Sequence, residues 1–156
     1  VMLSAGLLIG LILARLSFFI MKVETDSMNP NLKTGDRIIV SRLASAGKGD
    51  IVAVESPNDE GRIILSRIIA SEFETVEIRN RIVYINDTAA NFSWNTLKED
   101  NGIHPMKFTY RDNMPPVKLA KDEYFLLGDN FNSGYDSRTI GAVPERLIEG
   151  RIIYKR

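Results

Sequence analysis

The sequence predicts an all-β domain behind an N-terminal membrane segment, and three observations carry that expectation. The run 1–21 is apolar apart from Arg15 and is about long enough to cross a bilayer as a helix. From Lys22 onward, short stretches rich in Ile, Val, Tyr and Phe alternate with Gly, Asn, Asp and Pro, the pattern of strands joined by turns. No long helical period and no internal repeat follows the first segment.

Taken in order, 1–21 reads as a transmembrane anchor because the apolar stretch resumes after Arg15 with Leu16, Phe18, Phe19 and Ile20. A cleaved leader with its apolar part at 2–14, or a buried core helix, are the competing readings. The remainder, 22–156, is expected to be one β domain, with strands at 37–40, 50–55, 62–70, 75–78, 82–85, 123–127 and 147–154. Turn-forming clusters separate them at 34–36, 47–49, 57–61 and 128–130. The stretch 88–118 has weak periodicity and reads as a loop-rich excursion, while Pro144 opens a short helical turn over 144–147.

Composition excludes several functions. Lys+Arg and Asp+Glu both total 20, so no global charge points to nucleic acid. With no cysteine and one histidine, thiol catalysis and disulfides are excluded and a zinc site is unsupported. The stretch from Asp129 fails as a calcium loop, because Phe131 and Ile140 stand where oxygen ligands are needed. No metal and no cofactor is expected.

A serine hydroxyl is a weak nucleophile and needs a base. His104 lies in a polar stretch that reads as a solvated loop, and no G-x-S-x-G elbow is present, which argues against a Ser-His-Asp enzyme. What remains is a serine activated by a lysine whose pKa burial has lowered, or no catalysis.

Three ordered segments resemble the type I signal peptidase family. The first, Thr25-Asp26-Ser27-Met28-Asn29-Pro30-Asn31-Leu32, is similar to its S-M-x-P-T-L box, with Asn31 where Thr is usual. The second runs from Gly49 through Val54 and on to Ser66-Arg67-Ile68-Ile69. The third, Gly128-Asp129-Asn130 through Asp136-Ser137-Arg138, is similar to G-D-N-R-x-x-S-x-D-S-R. The resemblance implies a signal-peptidase-like β-sheet core on the outer face of the cell membrane, anchored by a single pass, that acts on signal peptides after small residues. It makes Ser27 the nucleophile, with its own N–H and the Thr25 hydroxyl as the oxyanion hole. Met28 and Pro30 would shape the substrate wall, and Asp136 with Arg138 would brace the cleft.

Two departures stand out. The family's general-base lysine precedes an Arg-Ile-Ile strand, and that position here is Ser66; the serine that orients the lysine corresponds to Gly134. Arg67 cannot substitute, since a guanidinium is not deprotonated in proteins. The resemblance therefore extends to family relatives with altered catalytic residues that are linked to pilus assembly in Gram-positive bacteria. The expected function is to bind signal peptides or pilin precursors at the membrane and to support pilus assembly, with weak or absent peptidase activity and with self-association compatible with that role. The alternative is an active serine endopeptidase that uses Ser27. A self-cleaving repressor-type Ser-Lys protein and a generic tethered β domain are the remaining readings.

Overall fold

The computed structural model describes residues 17–94, 96, 102–107, 109–133 and 135–156. Two antiparallel sheets make up the domain. The larger takes the order β1-β2-β11-β3-β4-β9-β10, and the smaller β7-β6-β5-β8. In chain order the strands are β1 Phe18–Lys22, β2 Arg37–Ser41, β3 Ile51–Glu55, β4 Ile63–Ala70, β5 Thr75–Arg79, β6 Ile82–Ile85, β7 Thr88–Ala89, β8 Met114–Lys118, β9 Glu123–Leu127, β10 Val143–Pro144 and β11 Ile148–Lys155. The helix α1 (Ser137–Ile140) and the 3-10 turns Asp26–Met28 and Glu145–Leu147 complete it.

Each expected strand is present to within about a residue at either end, and the turn after Pro144 forms. Other segments differ from expectation. Residues 1–16 of the expected anchor lie outside the described residues, and among those described no helix is long and apolar enough to cross a membrane. Its last part, expected as helix to residue 21, instead pairs with β2 from Phe18↔Ser41 to Lys22↔Arg37. Alternation explains this: Phe19 and Met21 pack on the core while Phe18, Ile20 and Lys22 face outward. The excursion 88–118 also contains two strands, β7 and β8. Pro115 and Pro116 sit in β8, an edge strand, at the register irregularity between the Val76↔Val117 and Ile78↔Met114 pairs, where the regular ladder to β5 is already interrupted.

Strand β4 is central and carries a run of seven buried residues, Ile64 to Ala70. Both of its faces are covered, which removes the polar-out alternation of a half-exposed strand. Leu65 packs with Val23, Met28, Leu32, Ile38, Val40 and Ala53 on one face, while Ile64 and Ile68 pack with Val52, Val54, Leu126 and Val143 on the other. A third cluster, including Val76, Ile78, Val83, Phe125, Leu127 and Phe131, joins β9 to the small sheet.

The small sheet is tied down by charge. Asn80 and Arg81 both adopt left-handed φ in the two-residue turn between β5 and β6, a geometry that matches strand twist. The Arg81 guanidinium meets Asp112 at 3.5 Å and donates to Asn132 Oδ1 at 2.7 Å. Asp112 is fully buried and also accepts from Arg111 through Nε and Nη2, both at 2.8 Å, and from the His104 N–H at 2.6 Å. Burial alone would raise the Asp112 pKa. Hydrogen bonds from Arg111 and the His104 N–H, with the charges of Arg111 and Arg81, outweigh it and hold the carboxyl below its usual value.

A carboxyl whose pKa is lower in the folded than in the unfolded chain stabilises the fold above its unfolded value, and that contribution is lost as pH falls through the folded one. Asp112→Asn is expected to cost about 3 kcal/mol at neutral pH, since it leaves arginines short of a buried partner. Thermal melts should show the wild type losing stability on acidification below about pH 4, with a shallower acid limb in the variant.

Candidate functional site

The segment between β1 and β2 carries Ser27 on the 3-10 turn Asp26–Met28. Met28 is fully buried and anchors the turn against Val23, Leu32 and Leu65, and its carbonyl accepts from the Leu32 N–H at 2.8 Å. With Met28 inward, Ser27 stays half-buried at the surface. Thr25 does not cap the turn; its Oγ1 lies 3.0 Å from Ser27 Oγ instead. The Ser27 N–H belongs to the first turn, where the turn itself offers no acceptor. The Ser27 N–H and the Thr25 hydroxyl thus lie next to the Ser27 hydroxyl.

The loop after β9 locks this turn in place. The Asn130 N–H donates to the Ser27 carbonyl at 2.9 Å, and Asn130 Nδ2 donates to the Asp26 carbonyl at 3.2 Å. Gly128 passes so close that a Cβ on it would sit 2.6 Å from the Ser27 carbonyl oxygen. Only glycine permits that approach.

Ser66 and Arg67 are the two polar residues at the centre of β4, and they face opposite ways. Ser66 pairs with Val52 and shares the face of Ile64 and Ile68; it is 1 % exposed, and its hydroxyl has no hydrogen-bond partner. A buried hydroxyl left unpaired costs about 1–3 kcal/mol. Arg67 is fully engaged: Nε and Nη2 donate to the two oxygens of Asp129 at 2.8 and 2.6 Å, Nη1 to the Gly49 carbonyl at 2.6 Å, and the guanidinium lies 4.6 Å from the Trp94 ring centre. Asn31, just past the nucleophile, donates to Asp129 Oδ2 at 2.8 Å.

Asp136 and Arg138 form an ion pair in the same loop. Arg138 donates through Nε and Nη2 to Asp136 at 2.9 and 2.6 Å, and also to the carbonyls of Phe131 at 2.7 Å and Ser133 at 3.0 Å. Asp136 in turn accepts from the Gly128 N–H at 3.0 Å. This pair therefore sets the position of Gly128, and through it that of Ser27. Phe131 is buried in the core between the Arg138 and Arg81 guanidiniums.

A groove of about 580 Å³ opens at Ser27. Its walls are Met21, Lys22, Glu24 and Thr25 on the nucleophile side, and Gly61 through Leu65 with Ser133 and Tyr135 on the other. Among the described residues β1 pairs only with β2, so its outer edge is open. The ladder of β4 with β9 begins at Arg67, so 63–66 are paired only with β3. An extended peptide entering the groove meets an unpaired strand edge on each side.

Of the expected site residues, Ser27 and Thr25 come together, and Asp136 and Arg138 pair behind them. Gly134 lies outside the described residues. Met28 and Pro30 do not line the groove: Met28 is core, because its side chain points beneath the turn it stabilises. Among the described residues, none in hydrogen-bond contact with Ser27 Oγ supplies a base. Asp26 accepts from Thr34 Oγ1 at 2.8 Å, and His104 belongs to the Asp112 cluster. Sequence reasoning missed the Arg67–Asp129 pair, which joins positions 62 apart, and it missed Tyr135 and Arg62 in the groove.

Ser27 thus lies on a turn at the edge of antiparallel sheets, beside an open groove. The family model described as signal peptidase, peptidase S26, matches residues 1–155, and the chain belongs to that family. It is 30% identical over 164 residues to a probable signal peptidase I-1 of Synechocystis sp., covering 96% of this chain and 78% of that protein. It is also 30% identical over 138 residues to signal peptidase I V of Bacillus subtilis, covering 84% and 81%. The crystal structure of a signal peptidase I from Enterococcus faecalis superposes with a TM-score of 0.54 at 26% identity, over 70% of this chain and 98% of that one.

Gly128→Ala tests the coupling between loop and nucleophile. The added methyl has to displace backbone, so the variant is expected to lose about 1–3 kcal/mol of stability in denaturant melts. Amide resonances of Ser27 and Asn130 should shift more than those of the small sheet.

Proposed function

We propose that this chain is a membrane-anchored signal-peptidase-like protein that binds the signal peptides of exported precursors in the Ser27 groove, with little or no peptidase activity. The carrying observation is the mismatch within one site. The groove, the Ser27–Thr25 hydroxyl pair and the bracing loop support peptide binding, while the position to which the resemblance assigns the general base is Ser66, buried on β4 and not among the groove-lining residues. A hydroxyl cannot take the nucleophile's proton near neutral pH, and proton removal by a positioned base is commonly worth 10²–10⁴ in rate. Peptide binding has no such requirement, because main-chain hydrogen bonds to open strand edges supply affinity and side-chain pockets supply selectivity. The apolar run that opens the sequence, expected as an anchor over 1–21, tethers the domain in this reading. Pilin precursors are one class of exported chain with suitable chemistry, and pilus assembly is the narrower role that binding them would serve.

An active endopeptidase that removes signal peptides is the second reading. It is favoured by Thr25 Oγ1, already 3.0 Å from Ser27 Oγ, and by relatives named as peptidases.

Cleavage of a pre-protein by the full chain separates the two. Under the leading reading the wild type turns over no faster than Ser27→Ala. Ser66→Lys combined with Gly134→Ser should then create Ser27-dependent cleavage roughly 10²–10⁴-fold above the wild type. Wild-type turnover that Ser27→Ala abolishes would refute it. Co-purification with pilin precursors, compared with other exported precursors, tests the narrower role.

A further inference from the structure

The small sheet reaches the nucleophile's turn through a continuous series of hydrogen bonds. Arg81, in the turn between β5 and β6, is buried and meets the fully buried Asp112 at 3.5 Å. The same guanidinium donates through Nη2 to Asn132 Oδ1 at 2.7 Å, 51 positions away on the loop after β9. The Asn132 N–H donates to Asn130 Oδ1 at 3.1 Å. Asn130 then grips the 3-10 turn twice, from Nδ2 to the Asp26 carbonyl at 3.2 Å and from its N–H to the Ser27 carbonyl at 2.9 Å. Its side-chain amide is thereby oriented at both ends, the oxygen by Asn132 and the nitrogen by Asp26. A second contact joins the same two regions: Arg138, which donates to the Phe131 carbonyl at 2.7 Å, also reaches the Arg111 carbonyl at 3.5 Å.

We infer that Arg81 is a positioning residue for Ser27: from the small sheet it orients Asn132 and, through the Asn130 side chain, fixes the turn that carries the Ser27 hydroxyl. It is not among the residues that line the groove, so it acts only through others. Arginine suits the task because its planar fork serves a carboxylate and an amide oxygen at once, which the single ammonium of lysine does poorly. Asp112 holds that fork in place. The assignment concerns where Ser27 stands, so it applies whether the groove only binds peptides or also cleaves them.

The test is amide hydrogen exchange on the full chain in detergent. It compares the Asn130 N–H, bonded to the Ser27 carbonyl, with the Ile68 N–H in β4, bonded to the Asp50 carbonyl at 3.0 Å. Arg81→Gln is expected to lower protection at Asn130 roughly three- to tenfold beyond any loss at Ile68, the range for one net hydrogen bond. Arg81→Lys should fall between, and Arg79→Gln, an exposed position on the same hairpin, should change neither amide. Asn132→Ala breaks the series while leaving Arg81 on Asp112 and should reproduce the selective loss, whereas Asn132→Asp keeps an acceptor and should retain wild-type protection. The chain has no cysteine, so Ser27→Cys adds a single thiol, and its reaction with an aromatic disulfide reagent should quicken when Arg81→Gln is added. If Arg81→Gln unfolds, Asn132→Ala decides on both readouts. Equal losses at Ile68 and Asn130 would mark a role in stability alone and overturn the assignment. Unchanged protection at Asn130 or an unchanged thiol rate in a folded variant overturns it as well.

Discussion

Arg67 carries a permanent charge at the centre of a strand buried on both faces, and the way that charge is met organises the site. Asp129 meets it bidentately from the loop after β9, while Gly49 takes its remaining nitrogen from the turn before β3. Asn31 then ties the same carboxylate to the segment after Ser27. Removing one member of such a buried pair leaves a charge uncompensated, typically at about 3–5 kcal/mol. The three segments therefore hold their relative positions together. Asp136 and Arg138 repeat the device one turn further along, where the guanidinium collects the carbonyls of Phe131 and Ser133 and the carboxylate fixes the Gly128 N–H. Ser27 sits where these two ion pairs converge.

Much of this was legible in the sequence for identifiable reasons. Strands such as β4 and β9 are short, predominantly apolar stretches bounded by turn residues, and they read correctly because tertiary context agrees with local propensity. β8 was illegible, since Met114-Pro-Pro-Val-Lys118 looks like a loop until its edge position removes the objection to proline. β1 was obscured differently. Phe18 to Met21 continues an apolar run, and periodicity in so short a stretch does not separate a strand from the end of a helix. In the site, local motifs brought Ser27, Thr25, Asp136 and Arg138 forward, because their partners are near in sequence. Arg67 with Asp129, Tyr135 with Ser56, and Arg81 with Asp112 are contacts across 62, 79 and 31 positions. Nothing in one sequence announces those. Met28 was misassigned because a motif position says which residue is present and not which way it points.

The chemistry turns on the difference between the two faces of β4. Ser66 lies on the face packed with Ile64, Ile68 and Leu126, where a lysine would be desolvated and its neutral, basic form favoured. Ser66 itself presents only a short hydroxyl on that wall. The Ser66 hydroxyl finds no partner at all, and the polar atom costs stability without contributing a proton acceptor. On the reading proposed above, Ser66→Lys would place an amine against this apolar wall, where burial favours its neutral form.

Affinity and turnover draw on different parts of the molecule. The open edge of β1, the unpaired half of β4 and the wall built by Tyr135 depend on sheet order and on core packing, none of which involves Ser66. Each main-chain hydrogen bond that a peptide makes to those edges is worth about 0.5–1.5 kcal/mol whether or not the scissile bond can be attacked. A sheet that ends in two edges facing one groove is exposed to unwanted strand pairing, and the outward Lys22 at the end of β1 is the kind of charge that limits it. In the proposed reading an extended occupant is held by these strand edges, whose geometry does not involve Ser66.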